Sequence, residues 1–220
     1  MEDFTSQGVS SQGAVLQIEG GTAGAAATIT AITAANPPHI STTTPPAAGT
    51  VVTIAAVLGM TEINGKTGVV GNPVAGGFDL IGVDASGYTA YVSGGTATEL
   101  PFLDICEAKT FTGFDGQASE LDKSTMCSEA KEFVQGLQDF GSFTFEMNYV
   151  PDDPSQQALA DAKAAGDTKW FRLIEPPELG GTIQFQAFVK SMSLAGGVDT
   201  VMTSSVALRV TGAPTRVAGA

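Results

Sequence analysis

His39 is the only histidine in the chain, and it lies between Pro38 and Ile40 with no Cys, Asp or Glu beside it. A metal centre or a histidine-based proton relay needs such partners, so His39 reads as a loop residue. Cys106 and Cys127 are the only two cysteines. They stand too far apart for a zinc knuckle, have no second pair, and read as free thiols rather than a disulfide. Asp115-Gly116-Gln117 begins like a calcium loop, but no regular acidic spacing follows, and a turn is the expected reading. The adjacent carboxylates of Asp152 and Asp153 are read as the start of a helix, where acids complement the helix dipole. No glycine-rich phosphate signature opens a helix, and no G-x-S-x-G elbow is present. The sequence therefore offers no nucleophile with its base, no metal site and no cofactor site, and the expectation is a protein that is not an enzyme.

Composition points to a packed β protein. Hydrophobic residues make up 43% of the chain and charged residues 15%, a balance opposite to that of a disordered chain. Glycine is abundant, and Thr and Val recur in short runs, as in many short strands joined by turns. The net charge of −13 argues against simple nucleic-acid binding, which replaces phosphate counterions with Lys and Arg. No apolar run approaches the ~20 residues that span a bilayer, so no membrane insertion of the chain is expected. The start Met1-Glu2-Asp3-Phe4 is acidic and polar, unlike a secretion signal.

The charge is unevenly placed. Residues 21–98 hold only Glu62, Asp79 and Asp84 against Lys66, while the chain after them carries ordinary surface charge. This shift predicts two modules: a discontinuous one of residues 1–20 and 99–220, and an all-β module at 21–98 inserted between Gly-Gly pairs. Within the insertion, strands are expected at 27–32, 50–55, 67–70, 78–83 and 88–92, with Pro37-Pro38 and Pro45-Pro46 breaking the stretch between the first two into loops. Asn64-Gly65 is a turn signal. Outside it, strands are expected at 13–18, 103–111, 142–150, 168–174, 182–192 and 200–210. In Ser142–Val150, Phe143, Phe145, Met147 and Tyr149 share one face. One helix is expected over about 154–165. Asp153 would be its N-cap, Pro154 its first residue, Gln156 the residue reaching back in a capping box, and Gly166 its stop.

An ordered series of segments carries a family resemblance. It runs Ile105-Cys106-Glu107-Ala108-Lys109-Thr110-Phe111-Thr112-Gly113-Phe114, Glu120-Leu121-Asp122-Lys123-Ser124-Thr125, Ser128-Glu129-Ala130-Lys131-Glu132, and Gly141 through Asp153 with Gln156-Gln157-Ala158-Leu159. It closes with Gly181-Thr182-Ile183-Gln184-Phe185-Gln186-Ala187-Phe188-Val189 and Val206-Ala207-Leu208-Arg209-Val210-Thr211-Gly212-Ala213-Pro214. Together with Gly13–Gly20, these resemble the tail tube (major tail) proteins of bacteriophages with long, non-contractile tails. The stretch between them, including Gly59-Met60-Thr61-Glu62-Ile63-Asn64-Gly65 and Val83-Asp84-Ala85-Ser86-Gly87-Tyr88, resembles a small β-barrel-like unit that recurs in phage structural proteins. That unit is related to a β subdomain of ubiquitin-activating enzymes; here it has no catalytic cysteine, since both cysteines lie outside it. The usual tube protein lacks such an insertion.

The resemblance implies a mainly β fold, with a β-sandwich or barrel tube core, one helix and an inserted all-β domain. It implies subunits that form hexameric rings, stacked into a hollow virion tube that conducts DNA and the tape-measure protein and meets terminator and tip proteins at its ends. The chain would be made in the host bacterial cytoplasm. The connection Lys123–Phe140 is too apolar for a free loop, so it is expected either to pack on a neighbouring subunit or ring or to fold back on its own sheet. Its contact candidates are Glu129, Lys131, Glu132, Phe133, Val134, Leu137 and Phe140. Glu107 and Glu146 are candidates for an acidic lumen that repels phosphate. The insertion is expected outside the tube. The rival expectation is a surface-displayed or adhesin-like β binding module, which would account for the Thr, Gly and Pro content of 21–98.

Overall fold

The computed structural model describes residues 9–218; the acidic start Met1–Phe4 lies outside the described residues. In chain order the strands are β1 (Val15–Glu19), β2 (Ala26–Ile32), β3 (His39–Thr42), β4 (Val51–Leu58), β5 (Thr67–Val74), β6 (Gly77–Ile81), β7 (Ser93–Glu99), β8 (Phe102–Asp104), β9 (Ala108–Gly113), β10 (Ala118–Asp122), β11 (Phe133–Gln138), β12 (Ser142–Asn148), β13 (Thr168–Ile174), β14 (Gly181–Ala195) and β15 (Thr203–Ala218). One helix, α1 (Pro154–Ala165), and a 3-10 turn, Thr61–Ile63, complete the elements. Among the described residues the fold is mainly β with a single α-helix, as the sequence implied.

The strands form three sheets. Six close into a barrel in the order β2-β3-β6-β5-β4-β7, seven form a sheet in the order β8-β1-β13-β14-β15-β12-β9, and β10 pairs only with β11. By compactness the chain divides in two. One unit comprises the described residues up to Ile105 with Phe171–Gln184 and the chain from Thr215 on; the other comprises Cys106–Trp170 and Phe185–Pro214.

The barrel belongs to the first unit. Its interior is filled by Ile29, Ile40, Ile54, Met60, Ile63, Val70, Phe78 and Leu80, each 3% exposed or less, so it is a packed core rather than a pore. The chain enters and leaves it side by side: Glu19 pairs with Phe102, and Gly20 N donates to Pro101 O at 3.0 Å. Two expectations fail here. The stretch between the proline pairs is not only loop, because His39–Thr42 pairs with β2 and β6. Residues 88–92 are not a strand; the closing strand is β7, and it carries Gly94 and Gly95 inside it rather than ending at them. β7 has little strand propensity of its own, but β2 and β4 hydrogen-bond it on both sides.

In the second unit the alternation of β12 holds. Phe143, Phe145 and Met147 are buried, opposite Leu208, Val206 and Ser204 of β15. Phe143 packs against Phe111, Phe114, Phe145 and Phe185 at ring distances of 5.1–6.4 Å. A Cβ on Gly113 would fall on the Phe143 ring, so this close approach requires glycine. The predicted strand 103–111 is instead two strands on opposite edges of the seven-stranded sheet: Ile105 N still donates to Leu16 O, while Glu107 O accepts from Asn148 N.

Helix α1 is capped as expected at both ends. Asp153 accepts from Ser155 N at 2.8 Å and Gln156 N at 3.1 Å, and Gly166 adopts the left-handed conformation at φ 72°. Burial of Leu159 and Ala162 anchors it. The capping box does not form. Gln156 Oε1 accepts from Val150 N at 3.0 Å and its Nε2 donates to Asn148 O at 2.8 Å, so this side chain ties the helix to the end of β12.

Candidate assembly interface

The residues expected to make contacts between subunits gather on a hairpin. Lys123–Phe140 is not an unstructured connection: β10 and β11 pair antiparallel from Ala118↔Gln138 to Asp122↔Phe133, with a bulge after Ala118. Lys123 Nζ lies 3.4 Å from Glu132 Oε2 across the strands, and the Asp122 side chain accepts from Ser124 N at 2.8 Å to turn the chain at the tip. Two-stranded ribbons are marginal in water unless something covers a face. This one leaves Phe133, Val134 and Leu137 exposed, with Leu137 at 89% and Met126 of the tip wholly open. Glu129, Lys131 and Glu132 are exposed as well, and Phe140 at the root is half-buried.

The root is held at both ends by carboxylates. Asp115 Oδ1 accepts from Ser142 N at 2.8 Å. Asp139 Oδ1 accepts from Gly141 N at 2.8 Å, while its other oxygen pairs with Arg209. These bonds, the Gly141 amide first and Arg209 second, hold the Asp139 carboxyl below its ordinary value. Sequence reasoning missed this clamp and the hairpin itself. Only the cross-strand charges and the Asp-x-Ser turn hinted at them.

Glu146 is exposed on the face of β12 opposite Phe143, Phe145 and Met147. Asn148 shares that face by alternation, and its Nδ2 donates to Glu107 Oε2 at 2.8 Å. The two expected lumen carboxylates are therefore brought to one side of β12. Cys106 and Cys127 are free and exposed.

A further recess in this unit was not foreseen. Tyr149, Pro151, Gln156, Ala160, Met192 and Leu194 line an open groove of about 280 Å³ beside α1. Ser204 also lines it; its Oγ is buried and has no hydrogen-bond partner. Among the described residues no group of three or more His, Cys, Asp or Glu could hold a metal ion, and no helix is long and apolar enough to cross a membrane.

His39 differs from its expected isolation. It sits on β3 directly opposite Asp79 of β6, with Nδ1 2.8 Å from Asp79 Oδ1; Asn72 Nδ2 donates to the other oxygen at 3.1 Å. These two bonds hold the Asp79 carboxyl below its ordinary value, His39 contributing most. The partner was invisible in sequence because it is brought in by strand pairing. The arrangement staples β3, β6 and β5 together.

A protein named "Structural protein 3" from Pseudomonas phage PAJU2 is 26% identical over 145 residues, covering 53% of this chain and 88% of that protein. Two solved structures are similar over part of the chain. A chain from the tail of an empty GTA particle aligns at a TM-score of 0.45 and 19% identity, covering 53% of this chain and 87% of its own. A chain from the virion of a native gene transfer agent aligns at 0.45 and 18%, covering 53% and 89%. The family model described as the lambda phage tail tube protein matches residues 87–217, more than half of the 220. This chain, a structural protein of a phage tail, belongs to the lambda phage tail tube protein family.

Proposed function

We propose that the chain builds the hollow tube of a long, non-contractile phage tail, as hexameric rings that stack on one another. The observation that carries this reading is the β10–β11 hairpin. Within a family of tail tube proteins, a ribbon that exposes Phe133, Val134, Leu137 and Met126 in its own chain is suited to cover by another copy. Head-to-tail contact of this kind, one surface meeting a different surface on the next copy, generates rings and stacks. In this reading Glu129, Lys131 and Glu132 flank the apolar contact, and Phe140 sits at its base.

Glu107 and Glu146 would then face the lumen, where carboxylates repel phosphate and let DNA pass without sticking. The tape-measure protein would share that lumen, and terminator and tip proteins would close the tube. The role is structural rather than enzymatic. Residues 21–98 are an inserted domain on the outside, since a packed barrel from each subunit would not fit in a narrow lumen beside DNA; the adjacent entry and exit at Glu19 and Phe102 support that insertion.

Electron microscopy of the concentrated protein tests the reading. Hollow tubes or six-membered rings are expected, and a protein that stays monomeric at high concentration would overturn it.

A further inference from the structure

Asn64-Gly65 lies in the turn after the 3-10 segment Thr61–Ile63, and its chemistry stands out. A backbone amide that follows asparagine can attack the asparagine side chain, and glycine there offers the least steric hindrance because it has no Cβ. In that reaction the Gly65 nitrogen bonds to Asn64 Cγ and gives up its proton. The Cγ–Nδ2 bond breaks, and ammonia leaves. Water then opens the cyclic imide at either carbonyl to give aspartate or isoaspartate. No oxidant or reductant is needed.

In the folded barrel both reacting groups are occupied. Asn64 Oδ1 accepts from Val57 N at 2.8 Å, and Asn64 Nδ2 donates to Val57 O at 3.0 Å. The nucleophile is held separately, with Gly65 N donating to Ile54 O at 2.8 Å. The reason for the side-chain clasp lies in β4. β5 pairs with β4 only over Val51–Thr53, and at Ala56 the strand takes the left-handed conformation, φ 58°, while keeping its register with β7. Beyond Ala56, Val57 pairs with Gly94 of β7 on one side. The Asn64 amide takes the other side and acts there as a surrogate strand.

We propose that Asn64-Gly65 is a masked deamidation site: the closed barrel withholds it, opening of β4 around Val57 releases it, and conversion then weakens reclosure. Aspartate at this position presents a carboxylate oxygen, in place of an N–H, to the Val57 carbonyl. Two acceptors then face each other, and a part-buried bond is lost without replacement.

The test uses the full chain in mildly alkaline buffer, with and without enough guanidinium chloride to unfold it. Deamidation is read on the proteolytic peptide that contains Asn64, by mass and by isoaspartate content. Conversion in the folded protein is expected to be at least ~10-fold slower than in the unfolded chain, since only the opened fraction reacts. Equal rates in the two states would overturn the masking. The second arm compares unfolding of Asn64→Asp with wild type. A lower midpoint, or a barrel that fails to close, supports the clasp; an unchanged midpoint would overturn it. Neither arm depends on whether the protein forms tubes.

Discussion

The barrel and the β10–β11 hairpin are built from the same kind of strand and end in opposite states. In the barrel each strand is paired on both sides within a closed ring, and large side chains such as Phe78, Ile54 and Leu80 are fully buried. The hairpin has two strands, two free edges and exposed Phe133, Val134 and Leu137. Closure removes the edges that would otherwise pair with other chains, whereas the hairpin retains its unpaired edges and uncovered apolar side chains. The lesson is that strands of the same kind can be closed within the chain or left open, and an open ribbon with exposed apolar side chains is what a subunit can offer to another copy.

The comparison breaks most sharply under core substitution. Phe78→Ala should destabilise the barrel by about 3–5 kcal/mol, the usual loss for a buried aromatic, read from its denaturant midpoint. The matching change on the hairpin, Leu137→Asp with Phe133→Ser, should move fold stability by no more than about 0.5 kcal/mol, as exposed substitutions do. Assembly should nevertheless be lost, with no tubes in the microscope under the conditions where the wild type is expected to form them. A large stability loss from the hairpin pair would mean that its apolar face is covered within the chain. Excising residues 21–98 should sharpen the contrast further. Glu19 and Phe102 are already partners, so a short turn can join them, and tubes should still form. Absence of tubes would show that the barrel takes part in assembly.

How much of this was legible depended on whether a segment's own sequence decided its structure. Ser142–Asn148 alternates strictly, and its burial follows the alternation. Asp153-Pro154 and Gly166 bracket α1 because caps are local chemistry. Ser93–Glu99 is small and glycine-bearing, and only its two neighbours make it a strand. His39–Thr42 was hidden by flanking prolines, and its partner Asp79 lies forty residues on. The hairpin was readable as apolar excess, so its contact residues could be named. Its strands could not, because Ala118–Asp122 lacks β-branched residues and Phe133–Gln138 carries Gly136 at its centre. The break at Cys106 follows from which edge of the sheet each half joins, and no local residue states that.

The smallest expected effects come from acid, and they separate the two regions once more. Asp79 staples barrel strands and Asp139 clamps the hairpin root, and both carboxyls are held below their ordinary value by bonds to the charged form. A carboxyl whose folded value is depressed contributes stability that is present in full above its unfolded value and is lost as pH falls through the folded one. The window therefore lies below about pH 4 for both. Both side chains are partly open to solvent, so screening keeps the contributions modest. For the barrel, the gap in denaturant midpoint between wild type and Asp79→Asn should be open above about pH 4 and narrow as pH falls below it. A gap that stays constant would mean the carboxylate charge is not what holds the staple. For the hairpin, Asp139→Asn at neutral pH should speed amide hydrogen exchange at the Gly141 root while leaving barrel amides unchanged, because the clamp and the barrel share no hydrogen bond. Faster exchange in both regions would show that the hairpin root and the barrel open as one cooperative unit, and the contrast between a self-sufficient barrel and a waiting hairpin would fail.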